Sequence, residues 1–143
     1  MTANRKTAGV LEDAQVNVKI KLAGFWGTLL LIYIYVDIFG FYKPGTIQNI
    51  LAGKVWEFEI SQAWALGALL LMVVPSIMVL LSMILKAGVN RWINIVVAVF
   101  YIVVGIGTTI GETWAFYIVG HVVGIVLLLI IIWTAVRWPK KQA

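Results

Sequence analysis

Trp114-Ala-Phe-Tyr117-Ile-Val-Gly-His121-Val-Val-Gly124-Ile-Val-Leu-Leu-Leu-Ile-Ile-Ile-Trp-Thr-Ala-Val136 contains no aspartate, glutamate, lysine or arginine. A helix of about 20 such residues spans the roughly 30 Å hydrocarbon core of a bilayer. Inside lipid every backbone N–H and C=O must find its partner within the segment, so the stretch reads as a membrane-crossing helix. Arg137-Trp-Pro139-Lys-Lys141 follows, and Pro139 gives the helix a clear stop.

Three more apolar runs use most of the remaining chain, over residues 22–42, 61–85 and 92–110, the first of them interrupted by a single carboxylate, Asp37. Of the 143 residues 62% are hydrophobic and 12% charged, and mean hydropathy is +1.00. A soluble domain of this length could not cover its surface with so few charges. The expected fold is therefore an all-α membrane protein, four transmembrane helices in an up-down antiparallel bundle. Residues 1–21 and 137–143 are its tails and 43–60 its one sizeable loop. The first run follows basic residues but is too long for a signal-peptide core of about 7–15 residues, and it is expected to be retained.

Lysine and arginine set the orientation. Nine of them (Arg5, Lys6, Lys19, Lys21, Lys86, Arg91, Arg137, Lys140 and Lys141) fall at one end of the bundle, against Lys43 and Lys54 at the other. That asymmetry predicts both termini in the cytoplasm and the 43–60 loop outside. The net charge of +5 is mostly this topogenic charge, which favours anionic headgroups. The partner is the lipid bilayer, and no nucleic acid is expected.

Within the loop, Thr46 is placed to cap a short helix that Gly53 ends. Trp56, Phe58 and Ile60 alternate with Glu57 and Glu59, as an interface-lying segment would, with a substrate lid as the sharper alternative. Pro75 falls near the middle of the second span, where its missing N–H should loosen the helix. Residues 86–91 read as a tight turn, with Gly88 available for a left-handed position and Asn90 as N-cap of the third span.

The ionisable groups inside the spans are Asp37 and His121. Each costs about 2.5–3.5 kcal/mol or more to place in a membrane, so each needs a reason to be there. Both lie in the loop-side half at comparable depth, on the first and last spans, which can be neighbours in a four-helix bundle. Tyr33 stands one turn from Asp37 and Tyr117 one turn from His121. A proton shared by Asp37 and His121 near neutral pH is chemically reasonable. A structural hydrogen-bonded pair, or two groups satisfied separately by tyrosine, backbone or headgroup water, is the plainer explanation. With Glu112 at the adjoining turn, these five residues form a candidate polar pocket.

Gly107-x-x-x-Gly111 and Gly120-x-x-x-Gly124 have the spacing that lets helices approach closely. They favour tight packing or a small cavity beside His121, with homo-oligomerisation through either face as the competing use. Asn90, Arg91 and Asn94 make a polar patch at the terminal end, which capping and headgroup contact would explain. One histidine and no cysteine cannot build a conventional zinc site. P-loop, Rossmann and G-x-S-x-G fingerprints are absent. Neither a metal nor a cofactor is expected.

Five motifs carry a family likeness: K-L-A-x-x-W at 21–26, Y-x-Y-x-D-x-x-G-x-Y-x-P-G at 33–45, L-G-A-x-L-L-M-x-x-P-S at 66–76, N-R-W-x-N-I at 90–95 and I-W-T-A-V-R-W-P at 132–139. With them the chain resembles a family of small four-span prokaryotic membrane proteins of unknown function, and more loosely the DoxX-like group. The resemblance implies the fold, a multi-pass place in a prokaryotic plasma membrane, and no established activity. Some relatives carry glutamates where this chain has Val73 or Val74 and Gly124, so a mechanism resting on those carboxylates is absent here.

Three readings of function stay open. One is a membrane protein that binds or passes a small solute or protons through an outward-facing pocket. Another is a structural or accessory subunit without chemistry of its own. The third is a membrane-embedded enzyme acting on a lipid or quinone, for which an Asp–His pair could do acid–base work but which lacks a nucleophile or cofactor signature.

Overall fold

The computed structural model describes residues 14–139. The chain forms α1 (Val18–Gly40), α2 (Thr46–Leu51), β1 (Lys54–Val55), β2 (Phe58–Glu59), α3 (Gln62–Ile84), α4 (Ala87–Thr109) and α5 (Ala115–Val136). The four long helices are each long and apolar enough to cross a membrane. Arg5, Lys6, Lys140 and Lys141 of the expected tails lie outside the described residues.

Exposed Leu31, Ile34, Leu69, Val103, Val126 and Leu129 would be a liability in water. In lipid they are simply the outer face of each helix. Trp92 and Trp133 sit near the terminal end and Trp56 and Trp114 near the loop end, as aromatic residues do at membrane interfaces. The protein is a small multi-pass membrane protein.

Helix α1 packs against α3 on one side and α5 on the other, and α4 packs against α5. The contact between α3 and α4 is much the slightest of the four. The bundle is therefore tight around α1 and α5 and looser along the α3–α4 seam. Helices α1 and α5 meet closely where α5 carries glycine. A Cβ at Gly120 would overlap Val36 Cγ2, and one at Gly124 would come within 3.2 Å of Tyr33 Cε1 and 3.3 Å of Leu29 Cδ1. The Gly120/Gly124 face is thus filled by α1 of the same chain. Gly107 is exposed with open space at its Cβ position, and Gly111 lies beyond the end of α4 with φ +83°, so these two do not form one helical face.

At the terminal end the bundle is locked by buried polar groups. Trp26 of α1 donates its indole N–H to Asn94 Oδ1 at 2.7 Å, and the Ser82 hydroxyl donates to the same oxygen at 3.2 Å. The Asn90 amide donates to the Ser82 carbonyl at 2.6 Å, and the Asn94 amide donates to Asn90 Oδ1 at 2.7 Å. Asn90, Asn94, Ser82 and Trp26 are fully buried. A polar group left unpaired in this setting costs far more than a satisfied one, so the network fixes how α1, α3 and α4 meet.

That network corrects the reading of Asn90 and Asn94 as a surface patch. Helix α4 begins at Ala87, with Lys86 at its N-cap, because Leu85 and Lys86 suffice to reverse the chain. Asn90 therefore faces the interior one turn into the helix. Gly88 is helical and needs no left-handed backbone. Arg91 stays half-buried at the boundary, its guanidinium 5.8 Å from the Trp92 ring.

Other boundaries shift for local reasons. α1 starts four residues before position 22 because the Asn17 side chain caps it through the Lys19 N–H at 2.9 Å. Gly45, with φ +85°, occupies the N-cap of α2, and Thr46 is its first residue. The alternating segment closes as a two-stranded hairpin, Lys54 opposite Glu59 and Val55 opposite Phe58.

Helix α3 runs unbroken through Pro75. Proline removes the N–H that would have bonded the carbonyl four residues earlier, at Leu71. Tyr101 of α4 supplies the replacement, its hydroxyl donating to the Leu71 carbonyl at 2.5 Å. Its ring also meets Trp26 edge-on, with centroids 6.2 Å apart.

Candidate functional site

The loop-end half of the bundle encloses a half-open cavity of about 830 Å³. Its walls come from all four long helices, and the hairpin forms part of its mouth. Tyr33, Asp37, Glu112, Tyr117 and His121 all line it. Close α1–α5 packing at Gly120 and Gly124 sets Tyr33 and Asp37 beside the helix that carries Tyr117 and His121.

His121 is buried between two phenols. Its ring stacks on Tyr117, with centroids 4.3 Å apart and planes at 23°, and on Tyr33 at 6.0 Å and 28°. Nδ1 lies 3.0 Å from the Tyr117 carbonyl oxygen. A carbonyl only accepts, so Nδ1 carries the hydrogen, and in the neutral ring Nε2 is left as an acceptor. Gly105 of α4 leaves room for the ring: a Cβ there would stand 3.8 Å from His121 Cδ2.

Asp37 is exposed to the cavity and makes no side-chain hydrogen bond or ion pair among the described residues. The shared proton that Asp37 and His121 could support does not take the form of a direct bond among the described residues. The imidazole is held by the tyrosines and its own helix backbone. The two groups line one cavity with no hydrogen bond or ion pair between them among the described residues.

Glu112 is engaged elsewhere. Its Oε2 accepts from Lys43 Nζ at 2.7 Å, and its Oε1 accepts from the Thr113 and Trp114 N–H groups at 2.8 and 3.0 Å. Burial pushes the carboxyl up, but the Lys43 and backbone hydrogen bonds together with the lysine charge outweigh it. They hold Glu112 below its ordinary value. The carboxylate therefore ties the α1–α2 loop to the start of α5. Lys43 also lies 5.8 Å from the Trp114 ring and 5.9 Å from Tyr117.

Several lining residues were missed from the sequence. Trp56 sits at the hairpin turn with φ +53°, a conformation bulky residues rarely adopt. Its ring meets Tyr117 edge-on at 6.3 Å. Trp64, Tyr101 and Thr108 line the cavity from α3 and α4. Lys43 was legible as a loop charge but not as the partner of Glu112. Pro75 did carry a usable signal for Tyr101, since a proline inside a span predicts a donor across the helix interface.

A family model described as a family of unknown function (DUF6326) matches residues 11–143. The chain belongs to that family. No curated protein and no solved structure matches it. Among these comparisons the looser DoxX-like likeness finds no support, whereas the likeness to a family of unknown function stands. As a DUF6326 protein the chain inherits no activity, and its chemistry has to be argued from the cavity itself. Groups of three or more His, Asp or Glu side chains able to hold a metal do not occur among the described residues.

Proposed function

We propose that this protein binds a small, largely apolar solute in the loop-end cavity, with that end facing outward from a prokaryotic plasma membrane. The observation that carries the reading is the convergence of five polar and aromatic side chains on one cavity of about 830 Å³. Small-molecule sites typically have volumes of about 300–1,000 Å³, apolar walls and a few placed polar groups. The distribution of lysine and arginine supports the outward orientation.

Binding is favoured over passage. Toward the terminal end, Trp26, Leu29, Met78, Ala98 and Leu128 are buried almost completely, and the Asn90–Asn94 network follows. Such a filled half supports a blind pocket. The enzyme reading has little to use, since His121 is committed to aromatic stacking and no serine or cysteine lines the cavity among the described residues. The accessory-subunit reading is what remains if the cavity proves unable to hold a solute.

The chain has no cysteine, so a single Thr108→Cys variant places one thiol on the cavity wall. In intact cells it is expected to react with a charged, membrane-impermeant maleimide from outside. The neutral dye 1-N-phenylnaphthylamine is expected to slow that reaction. No labelling from outside would refute the orientation or the opening. Labelling indifferent to saturating dye would refute binding.

A further inference from the structure

The cavity's charges are unevenly paired. Lys43 and Glu112 neutralise each other in an ion pair of 2.7 Å. Lys54, which also lines the cavity, stands opposite Glu59 across the hairpin but forms no ion pair with it, and it is exposed at the mouth. His121 directs its Nδ1 hydrogen into its own helix backbone. The carboxylate of Asp37 is left without a bonded counter-charge among the described residues.

The cavity walls also carry aromatic surfaces. Tyr33, Phe41, Trp56, Phe58, Trp64 and Tyr117 all line the same cavity. The faces of aromatic rings are electron-rich and attract cations, most strongly where water is excluded. An anion would meet repulsion both from these faces and from Asp37. A neutral apolar solute can fill the apolar part of the cavity only while water stays on the carboxylate, because stranding that ionised group without a partner is costly. Only a solute bringing its own positive charge satisfies both the carboxylate and the ring faces.

We propose that the solute is a lipophilic organic cation, held by Asp37 and the aromatic walls of the loop-end cavity. The inference rests on the cavity being a binding site, as proposed above, and adds the sign of the ligand's charge. It makes Asp37 the residue that selects ligand charge and the tyrosine and tryptophan rings the surfaces that accept its bulk. The site is built from residues of one chain.

The test uses the full chain in nanodiscs of zwitterionic lipid, with 1-N-phenylnaphthylamine as a neutral reporter. Tetraphenylphosphonium and tetraphenylborate, nearly equal in size and shape and opposite in charge, compete for it. Tetraphenylphosphonium is expected to displace the dye and tetraphenylborate is not. Asp37→Asn is expected to reduce the cation's affinity about tenfold or more beyond any change in the dye's, with Asp37→Glu restoring part of it. If Asp37→Asn does not fold, the comparison of the two ions on the unmodified chain decides alone. Equal displacement by both ions, or Asp37→Asn affecting dye and cation alike, would overturn the cation assignment while leaving a functional cavity. Failure of the dye itself to bind would remove the binding reading, and this inference with it.

Discussion

The Tyr101 hydroxyl donates to the Leu71 carbonyl across the α3–α4 seam, and it does so where Pro75 has taken away that carbonyl's own helical partner. This bond spans the seam where the two helices otherwise touch least. It also sits at the floor of the cavity, since both residues line it. A defect in one helix is thereby turned into a tie between two. Tyr101→Phe should destabilise the protein by about 1–3 kcal/mol, because the carbonyl is then orphaned in an apolar setting. In a Pro75→Ala background the helix regains an N–H for Leu71, and the same substitution should cost clearly less. Thermal unfolding of the four proteins in detergent gives the coupling. Equal costs in both backgrounds would show that the tie is incidental.

Asn94 accepts from both Trp26 and Ser82, and its loss leaves two buried donors. Hydrogen bonds between membrane helices average about 0.6 kcal/mol and reach about 1.7, so Asn94→Leu should cost about 1–3 kcal/mol in total. Trp26→Phe removes one donor and leaves the other bond in place, although it also changes packing against Tyr101. A measured loss near zero for Asn94→Leu would place the network outside the stabilising core.

The two glycine pairs should respond in opposite ways. Gly120→Leu puts a side chain into Val36 and is expected to separate α1 from α5, lowering stability and the yield of folded protein. Gly120→Ala, the milder lesion, should be relieved by Val36→Ala. Gly107→Ala has open space around it and should be neutral or slightly favourable, as alanine suits a helix better than glycine. Chemical denaturation in mixed micelles distinguishes these cases. Tolerance of Gly120→Leu would contradict the α1–α5 contact.

Acid should loosen the loop end first. The folded Glu112 carboxyl titrates below its ordinary value of 4.5. Its stabilising effect is therefore fully present above the unfolded value and is lost as pH falls through the lower folded value. Lowering the pH from 7 toward 3 should weaken the tie from Lys43 to the start of α5. Glu112→Gln should remove that part of the acid sensitivity while making the neutral-pH protein less stable. Melting temperature followed against pH for both chains is the readout. Parallel curves would mean the ion pair contributes nothing.

Four spans, their order and the loop between the first two were legible because lipid imposes uninterrupted apolar runs and leaves little ambiguity. Asp37 and His121 could be named because an ionisable group inside such a run stands out against it, Tyr33 and Tyr117 because they stand one turn away, and Glu112 because it is the one charge in its turn. What could not be read was the partner of each group. Asp37 and His121 were matched by depth and by their place on spans that can be neighbours, whereas ring stacking by Tyr33 and Tyr117 decides what the imidazole touches. Asn90 and Asn94 lay close enough to a helix start to pass for caps, and only the position of Trp26 and Ser82 shows why they are buried. Hairpin formation around Trp56 was hidden too, since a left-handed tryptophan breaks the usual turn chemistry.

The central claim is that the loop-end cavity holds a solute, and a dye titration with a filled cavity tests it most directly. Thr108→Trp places a large ring on the lining, whereas Val103→Trp places the same ring on the exposed face of α4. Fluorescence of 1-N-phenylnaphthylamine is measured against each protein in nanodiscs, with empty nanodiscs subtracted. Saturable binding to the unmodified chain and to Val103→Trp, lost in Thr108→Trp, is the predicted result. Binding to Thr108→Trp that matches the unmodified chain, or no saturable binding to any of them, would contradict it.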